Sequence, residues 1–194
     1  MPGILAISSS PRRGGNSELA LRSFCRAAEE KEIPVEMIRL HELNLQPCHA
    51  CDRCAKSGIC AIQDQMQTLY KKVIAATALV LATPIYFGSL SAQLKVFIDR
   101  FQCWWQAKYR LKTPFVSPEE GKAGFIICTG ALQKPEYGDN IAAIGKVFFH
   151  NLNYKSGGIL CLQGFDQKGA INDDPVALIA AYNAGVEFID SFIL

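Results

Sequence analysis

With 194 residues, 49% of them apolar, the chain is long enough to bury a complete core as one domain without disulfide or metal staples. A formal net charge of only +2 supplies no cationic field for nucleic acid or an anionic membrane surface. The longest apolar stretch, residues 74–87, is broken by Thr77, Thr83 and Pro84 and falls short of a bilayer span. The start, Met1-Pro2-Gly3-Ile4-Leu5, carries neither a basic leader nor a cleavable apolar segment, so the expectation is a cytoplasmic protein with no membrane or nucleic-acid partner.

Ile4-Leu5-Ala6-Ile7 reads as a buried strand, and residues 16–32 carry helix formers with Leu19, Leu21, Phe24, Ala27 and Ala28 along one side. Residues 35–40 alternate like a strand toward a sheet edge. A cysteine-rich segment at about residues 41–63 then reads as a loop insertion, and residues 65–76 as a helix. Leu79-Val80-Leu81-Ala82 is a fully apolar strand closed by Thr83-Pro84, followed by helical spacing over residues 89–101. Phe125-Ile126-Ile127-Cys128 is a fourth strand, residues 140–149 a fourth helix, and residues 158–162 a fifth strand. Asp174 and Pro175 supply the N-cap and first turn of the last helix. Strands alternating with helices predict an α/β fold, a doubly wound five-stranded parallel sheet with helices on both faces. Ligands on such sheets bind at the carboxyl ends of the strands, near the switch in strand order.

Four of the eight cysteines, Cys48, Cys51, Cys54 and Cys60, follow a C-x2-C-x2-C-x5-C spacing. Two-residue spacers let a short loop turn soft thiolates toward one point, as a cubane iron-sulfur cluster requires. Structural zinc more often uses two C-x2-C pairs set far apart, and free or redox-active thiols are a third reading. Disulfides would suit a secreted chain. The lone Cys25, Cys103, Cys128 and Cys161 read as buried fillers. His41, His49 and His150 show no ligand spacing, and no side chain is assigned as a catalytic acid or base.

Three loops leave the carboxyl ends of the first, third and fourth strands and should share one edge of the sheet. In the first, residues 8–17, hydroxyls, backbone amides and an arginine converge on a helix start, whose positive end favours an anion. The alternative is a polar turn in which Asn16 or Ser17 serves only as an N-cap. The loop lacks both G-x-x-x-x-G-K-[ST] and G-x-G-x-x-G, so a monophosphate such as that of FMN fits better than a triphosphate or a dinucleotide. In the second, residues 83–91, proline and glycine fix the path while Tyr86 and Phe87 offer apolar surface to a flat heteroaromatic ring. Ordinary packing of those aromatics is the alternative.

Ser8-Ser9-Ser10-Pro11-Arg12 with Gly15-Asn16-Ser17, the four-cysteine segment with Asp64 and Met66 behind it, and Thr83-Pro84-Ile85-Tyr86-Phe87-Gly88 with Gln93-Leu94-Lys95 and Asp99-Arg100 occur in one order. Together they resemble the iron-sulfur flavoprotein branch of the NADPH-dependent FMN reductases. Further along, the resemblance thins to Lys168-Gly169-Ala170-Ile171 and Asp173-Asp174-Pro175. It implies a flavodoxin-like fold and an FMN whose phosphate is held by Ser8, Ser10, Arg12, Asn16 and Ser17. The ribityl chain and ring would meet Pro84, Ile85, Tyr86, Phe87 and Gly88, with Thr129 and Gly130 of the third loop. It also implies a 4Fe-4S cluster on Cys48, Cys51, Cys54 and Cys60, and NAD(P)H among the candidate electron donors. Two departures stand out: Ser9 occupies a position where the family usually has glycine, and the third loop lacks a glycine-rich run.

The expected function is an FMN-dependent oxidoreductase moving electrons between the flavin and a cluster or external acceptor. The alternatives are an NAD(P)H-dependent FMN or quinone reductase without a cluster, a non-catalytic flavodoxin-like carrier, and a zinc-stabilised binding module. Small molecules or redox proteins are the expected partners. Phe101, Trp104, Trp105 and Tyr109, crowded beyond the third helix, suggest burial by a second copy in a homodimer or homotetramer, where Cys103-Trp104-Trp105 could cap a flavin across the interface; packing of that segment within the monomer is the alternative.

Overall fold

The computed structural model describes residues 3–194; Met1 and Pro2, on which the reading of the chain's start partly rests, lie outside the described residues. Strands β1 (Ile4–Ser8), β2 (Val35–Arg39), β3 (Ala78–Pro84), β4 (Ala123–Gly130) and β5 (Lys155–Gln163) form one sheet in the order β2-β1-β3-β4-β5. Every neighbouring pair is parallel. The chain steps outward from β1 to β2 and then crosses back over β1 to β3. Sheets of this flavodoxin-like order bind ligands where that reversal opens a crevice, between the loops that follow β1 and β3.

The two-residue period of the strands sorts the core. Ile4, Ala6, Val80, Ala82, Phe125 and Ile127 pack on one face with α1 (Asn16–Glu29) and α6 (Pro175–Phe192). Leu5, Ile7, Leu79, Leu81, Ile126 and Cys128 pack on the other with α2 (Met66–Ala75), α3 (Ala92–Asp99) and α5 (Pro135–Leu152). Phe24 of α1 is fully buried against Phe125 and Phe188. Burying such a side chain contributes about 1.5–3 kcal/mol, so helix and sheet are held together mainly by apolar contact.

Several boundaries differ from the sequence reading for local reasons. Helix α1 ends at Glu29 rather than residue 32, because Glu32 turns left-handed (φ 57°) and the amide of Ile33 returns to the carbonyl of Ala28 at 2.9 Å. Helix α5 starts at Pro135, about a turn earlier than its apolar period suggests, since proline suits a first turn. Asp174 caps α6 as expected, accepting a hydrogen bond from the amide of Ala177 at 3.1 Å.

The aromatic segment departs more. The short helix α4 (Gln102–Trp105) and a π-helical turn (Gln106–Leu111) fold Phe101 and Trp104 back into the chain's own core. There Phe101 makes edge contacts with Tyr70, Trp104 and Phe148 at centroid distances of 5.2, 4.8 and 5.2 Å. Only Trp105 keeps a substantially exposed ring, so most of the aromatic surface expected to need a partner is already covered. Cys25, Cys103 and Cys128 are buried as expected, whereas Cys161 is half-buried on the edge strand β5, opposite Cys128 in register.

Candidate functional site

Ser9 joins the two loops at the strand-order switch. Its backbone amide and its hydroxyl both donate to the carbonyl of Ala82, each at 2.9 Å, and the Ser91 hydroxyl donates to Ser9 Oγ at 2.9 Å. The Ser91 amide in turn donates to Thr83 Oγ1 at 2.9 Å. The end of β1, the end of β3 and the start of α3 are thereby one hydrogen-bonded unit.

Beyond Ser9 the chain makes a tight turn. The Arg12 amide donates to Ser10 Oγ at 3.2 Å, and the Gly15 amide donates to the Arg12 carbonyl at 3.0 Å. Gly14 adopts a left-handed φ of 65°, and a Cβ on Gly15 would sit 2.7 Å from Ser10 Oγ, so the turn needs both glycines. It delivers the chain to the start of α1, which no side chain caps. The first amides of α1 and the positive end of its dipole are therefore available to a ligand.

Two buried hydroxyls have no protein partner among the described residues: that of Ser17, in the first turn of α1, and that of Ser8, at the end of β1. Ser8 is 0% exposed and Ser17 1% exposed, and neither Oγ has a hydrogen bond. A buried polar group left unsatisfied costs about 1–3 kcal/mol, so the Ser17 hydroxyl, which lines the cavity described next, marks a place that an oxygen-rich ligand would satisfy.

Ser10, Arg12, Asn16, Ser17, Pro84, Ile85, Tyr86, Thr129 and Gly130 line one cavity of about 180 Å³ at this edge. Ser8, Phe87 and Gly88 are not in its wall. Phe87 points fully into solvent at the tip of a two-residue turn closed by Tyr86 and Ser89, with φ of 51° at Phe87 and 73° at Gly88. Arg13 is engaged with Glu42 at 2.8 Å, whereas Arg12 forms no ion pair among the described residues. Glu18, in the first turn of α1, is buried and paired with Arg22 and Arg39, so its charge is compensated inside the fold.

Asn16 lies in this wall but spends its side chain elsewhere. Its Nδ2 donates to the carbonyls of Phe165 (3.3 Å) and Gln167 (2.9 Å), and its Oδ1 accepts from the amide of Ile171 at 3.3 Å. The amide expected to meet phosphate is thus committed to the loop between β5 and α6. That loop adds Phe165, Asp166 and Lys168 to the cavity wall, none of which the sequence reading assigned to the site. The only sequence signal for it was the distant match at Lys168-Gly169-Ala170-Ile171.

Cys48, Cys51, Cys54 and Cys60 all line a second cavity, of about 160 Å³, whose wall shares no residue with the first. The loop bends through left-handed Ala50 (φ 50°), Asp52 (φ 55°) and Gly58 (φ 72°), conformations that cost a non-glycine residue about 1–2 kcal/mol. An ion pair at its base over-determines this path. Arg100 Nη1 contacts Asp64 Oδ2 at 2.6 Å and Nη2 contacts Oδ1 at 3.1 Å, with both side chains almost fully buried. The same guanidinium donates to the carbonyls of Gln46 (2.8 Å) and Ile62 (3.3 Å), while Asp64 accepts from the amides of Gln46 and Met66. Both ends of the cysteine loop are fastened at one point.

Burial alone would push the Asp64 carboxyl upward; the Arg100 hydrogen bonds and two backbone amides outweigh it and hold the group below its usual range. The Cys54 thiol is pushed up, first by burial and then by the proximity of Cys60, Cys48 and Cys51. Among the described residues, no three His, Cys, Asp or Glu side chains are gathered closely enough to hold a metal ion.

Fold and site together define a flavodoxin-like α/β protein with a polar-lined cavity at the strand-order switch. The sequence profile of the NADPH-dependent FMN reductases matches residues 2–135, and the chain belongs to that family. An iron-sulfur flavoprotein of Methanocaldococcus jannaschii is 40% identical over 97 residues, covering 50% of this chain and 50% of that protein. The chain thus spans about half the length of the first curated relatives it matches. YwqN of Bacillus subtilis, whose name marks it provisionally as an NAD(P)H-dependent FMN-containing oxidoreductase, is 27% identical over 179 residues, 92% of this chain and 93% of that one. Among solved structures, an NAD(P)H:quinone oxidoreductase from Methanothermobacter marburgensis superposes with a TM-score of 0.73 at 15% identity over 94% of each chain, a likeness of fold. No described helix is long and apolar enough to cross a membrane.

Proposed function

We propose that this chain is an FMN-dependent oxidoreductase, a single flavodoxin-like domain with a cysteine loop inserted at about residues 41–63, and that Cys48, Cys51, Cys54 and Cys60 hold a 4Fe-4S cluster. The observation that carries the flavin reading is the buried, unpartnered hydroxyl of Ser17, in the cavity wall at an uncapped helix start. A phosphate monoester brings the acceptor oxygens that such donors lack. The donor set therefore fits FMN.

FMN, once bound, supplies hydride and single-electron chemistry that side chains do not. The residues do the rest. Ser17, the first amides of α1 and Arg12 hold the phosphate; Ser10 braces the turn through Arg12. Pro84, Ile85 and Tyr86 form a wall beside Thr129 and Gly130, and the Ile85 amide, bonded to the Thr129 carbonyl at 2.7 Å, fixes the spacing between those loops. Phe87, exposed at its turn, is free to cover a ring or meet a redox partner.

For the cluster, the supporting observation is that four thiols from one short loop line one cavity. Soft sulfur donors suit iron-sulfur chemistry, and a cluster adds a one-electron store. Exposed Cys48 and Cys51 suit a reducing compartment such as the cytoplasm. Self-association is proposed through the apolar groove between α3 and α5, where Trp105 and Val147 are exposed.

A second reading, an NAD(P)H-dependent reductase of flavins or quinones without a cluster, is favoured by the near full-length match to YwqN. Anaerobic purification followed by a visible spectrum, iron and sulfide analysis and steady-state NAD(P)H oxidation separates the cases. A yellow-brown protein with about four irons per chain supports the first reading. A yellow protein without iron that oxidises NAD(P)H leaves the second, a yellow protein without turnover leaves an electron carrier, and a colourless one overturns the flavin assignment.

A further inference from the structure

We propose that Lys168 is the second cation of the anion cradle and that Asn16 is the positioning residue that brings it there; the proposal rests on the flavin reading above. A phosphate monoester carries about −1.5 to −2 charges near neutral pH. On the phosphate loop itself, Arg13 is turned to Glu42 and Arg12 is left as the one unpaired guanidinium. One side-chain cation together with the helix start still leaves part of that charge for a further group to meet.

The loop between β5 and α6 supplies another. Three hydrogen bonds from the Asn16 side chain reach Phe165, Gln167 and Ile171, which bracket Lys168 on both sides. Lys168 lines the same cavity as Arg12 and Ser17, and its Cε lies 3.9 Å from where a Cβ on Gly14 would stand, so its stem lies beside the phosphate turn. No described acidic side chain forms an ion pair with it. Asp166 also lines the cavity and opposes an anion there, which makes the lysine's contribution the more necessary. Asn16 therefore acts on the ligand through the loop it holds, while its own side-chain amide is taken up.

The test compares two flavins. Purified protein is dialysed against FMN or against riboflavin, which shares the ring and ribityl chain but lacks the phosphate, and retained flavin is measured for wild type, Lys168→Ala, Asn16→Ala and the double variant. Lys168→Ala is expected to weaken FMN binding about threefold to tenfold, the range for a charged contact screened by water, and to leave riboflavin binding unchanged. Asn16→Ala is expected to weaken FMN in the wild-type background and to add much less once Lys168 is gone. Asp166→Asn is expected to tighten FMN alone. Unchanged FMN binding in Lys168→Ala, or an equal loss for both flavins, overturns the role of the lysine. An undiminished Asn16→Ala effect in the Lys168→Ala background overturns the positioning role. A wild type that retains neither flavin overturns the flavin reading itself, and this proposal with it.

Discussion

The proposed anion cradle and the cysteine loop are built in opposite ways. The cradle is an extension of the core: Ser8 and Ser9 continue a buried strand, and Ser9, Ser91 and Thr83 tie three elements together before any ligand arrives. The cysteine loop is mostly exposed, turns through left-handed residues and depends on one buried ion pair at its base. The cradle should thus survive loss of its ligand, whereas the cysteine loop should be sensitive both to the proposed cluster and to Arg100. Four expected outcomes would break or sharpen this contrast, taken from the largest effect to the smallest.

Cys51→Ser, which replaces a soft thiolate with a poor ligand, is expected to abolish iron and sulfide content in anaerobically prepared protein while FMN content stays at the wild-type level. Loss of both cofactors together would mean that cradle and loop are not separate units. Full iron retention would remove Cys51 from the ligand set.

Arg100→Met is expected to cost about 3–5 kcal/mol in urea unfolding, because it leaves the Asp64 carboxylate buried and unpaired. The pH dependence follows from the depressed carboxyl. A group whose folded pKa lies below its unfolded value, about 3.9 for aspartate, stabilises above that value and ceases to as pH falls through the folded one. Wild type should therefore lose this contribution only in strong acid, and Asp64→Asn should flatten that part of the stability profile. A profile unchanged in Asp64→Asn would show that the pair does not hold the loop.

Arg12→Ala is expected to weaken FMN about tenfold to a hundredfold, or about 1.5–3 kcal/mol, with little change in unfolding, since the guanidinium has no ion pair among the described residues. FMN fluorescence quenching measures the first and urea titration the second. Unaltered affinity would take Arg12 out of the cradle.

Ser17→Ala gives the finest distinction. Removing a buried hydroxyl that has no partner should leave flavin-free protein as stable as before, or more stable by about 1 kcal/mol, and still weaken FMN. Destabilisation of the flavin-free form, measured by thermal unfolding with and without FMN, would show that the hydroxyl serves the fold rather than the ligand.

Much of this was legible in the residues in order. The two-residue and 3.6-residue periods located five strands and the main helices, because burial on one or both faces writes itself directly into apolar spacing. The serine and glycine turn before α1 and the four-cysteine spacing were equally local, each needing only neighbours a few positions apart. Boundaries were less legible where a backbone bend decides them, as at Glu32, or where glycines run through a strand, as in β5.

What only the tertiary structure decided are relations across long stretches of chain. Asn16 reads as a phosphate ligand or an N-cap from its neighbours, yet its partners lie 149 to 155 positions away, on a loop that also carries Lys168. Phe101 and Trp104 read either as surface awaiting a partner or as packing within the monomer, and a short helix and a π-helical turn fold them into the chain's own core. Arg100 gave no local sign of being fully buried until Asp64 met it from 36 residues upstream. Periodicity and short motifs record what a residue needs from its immediate environment. Which distant group satisfies a hydrogen bond or a charge is set by the crossover of β1 and β3 and the packing around it, and no local pattern encodes that choice.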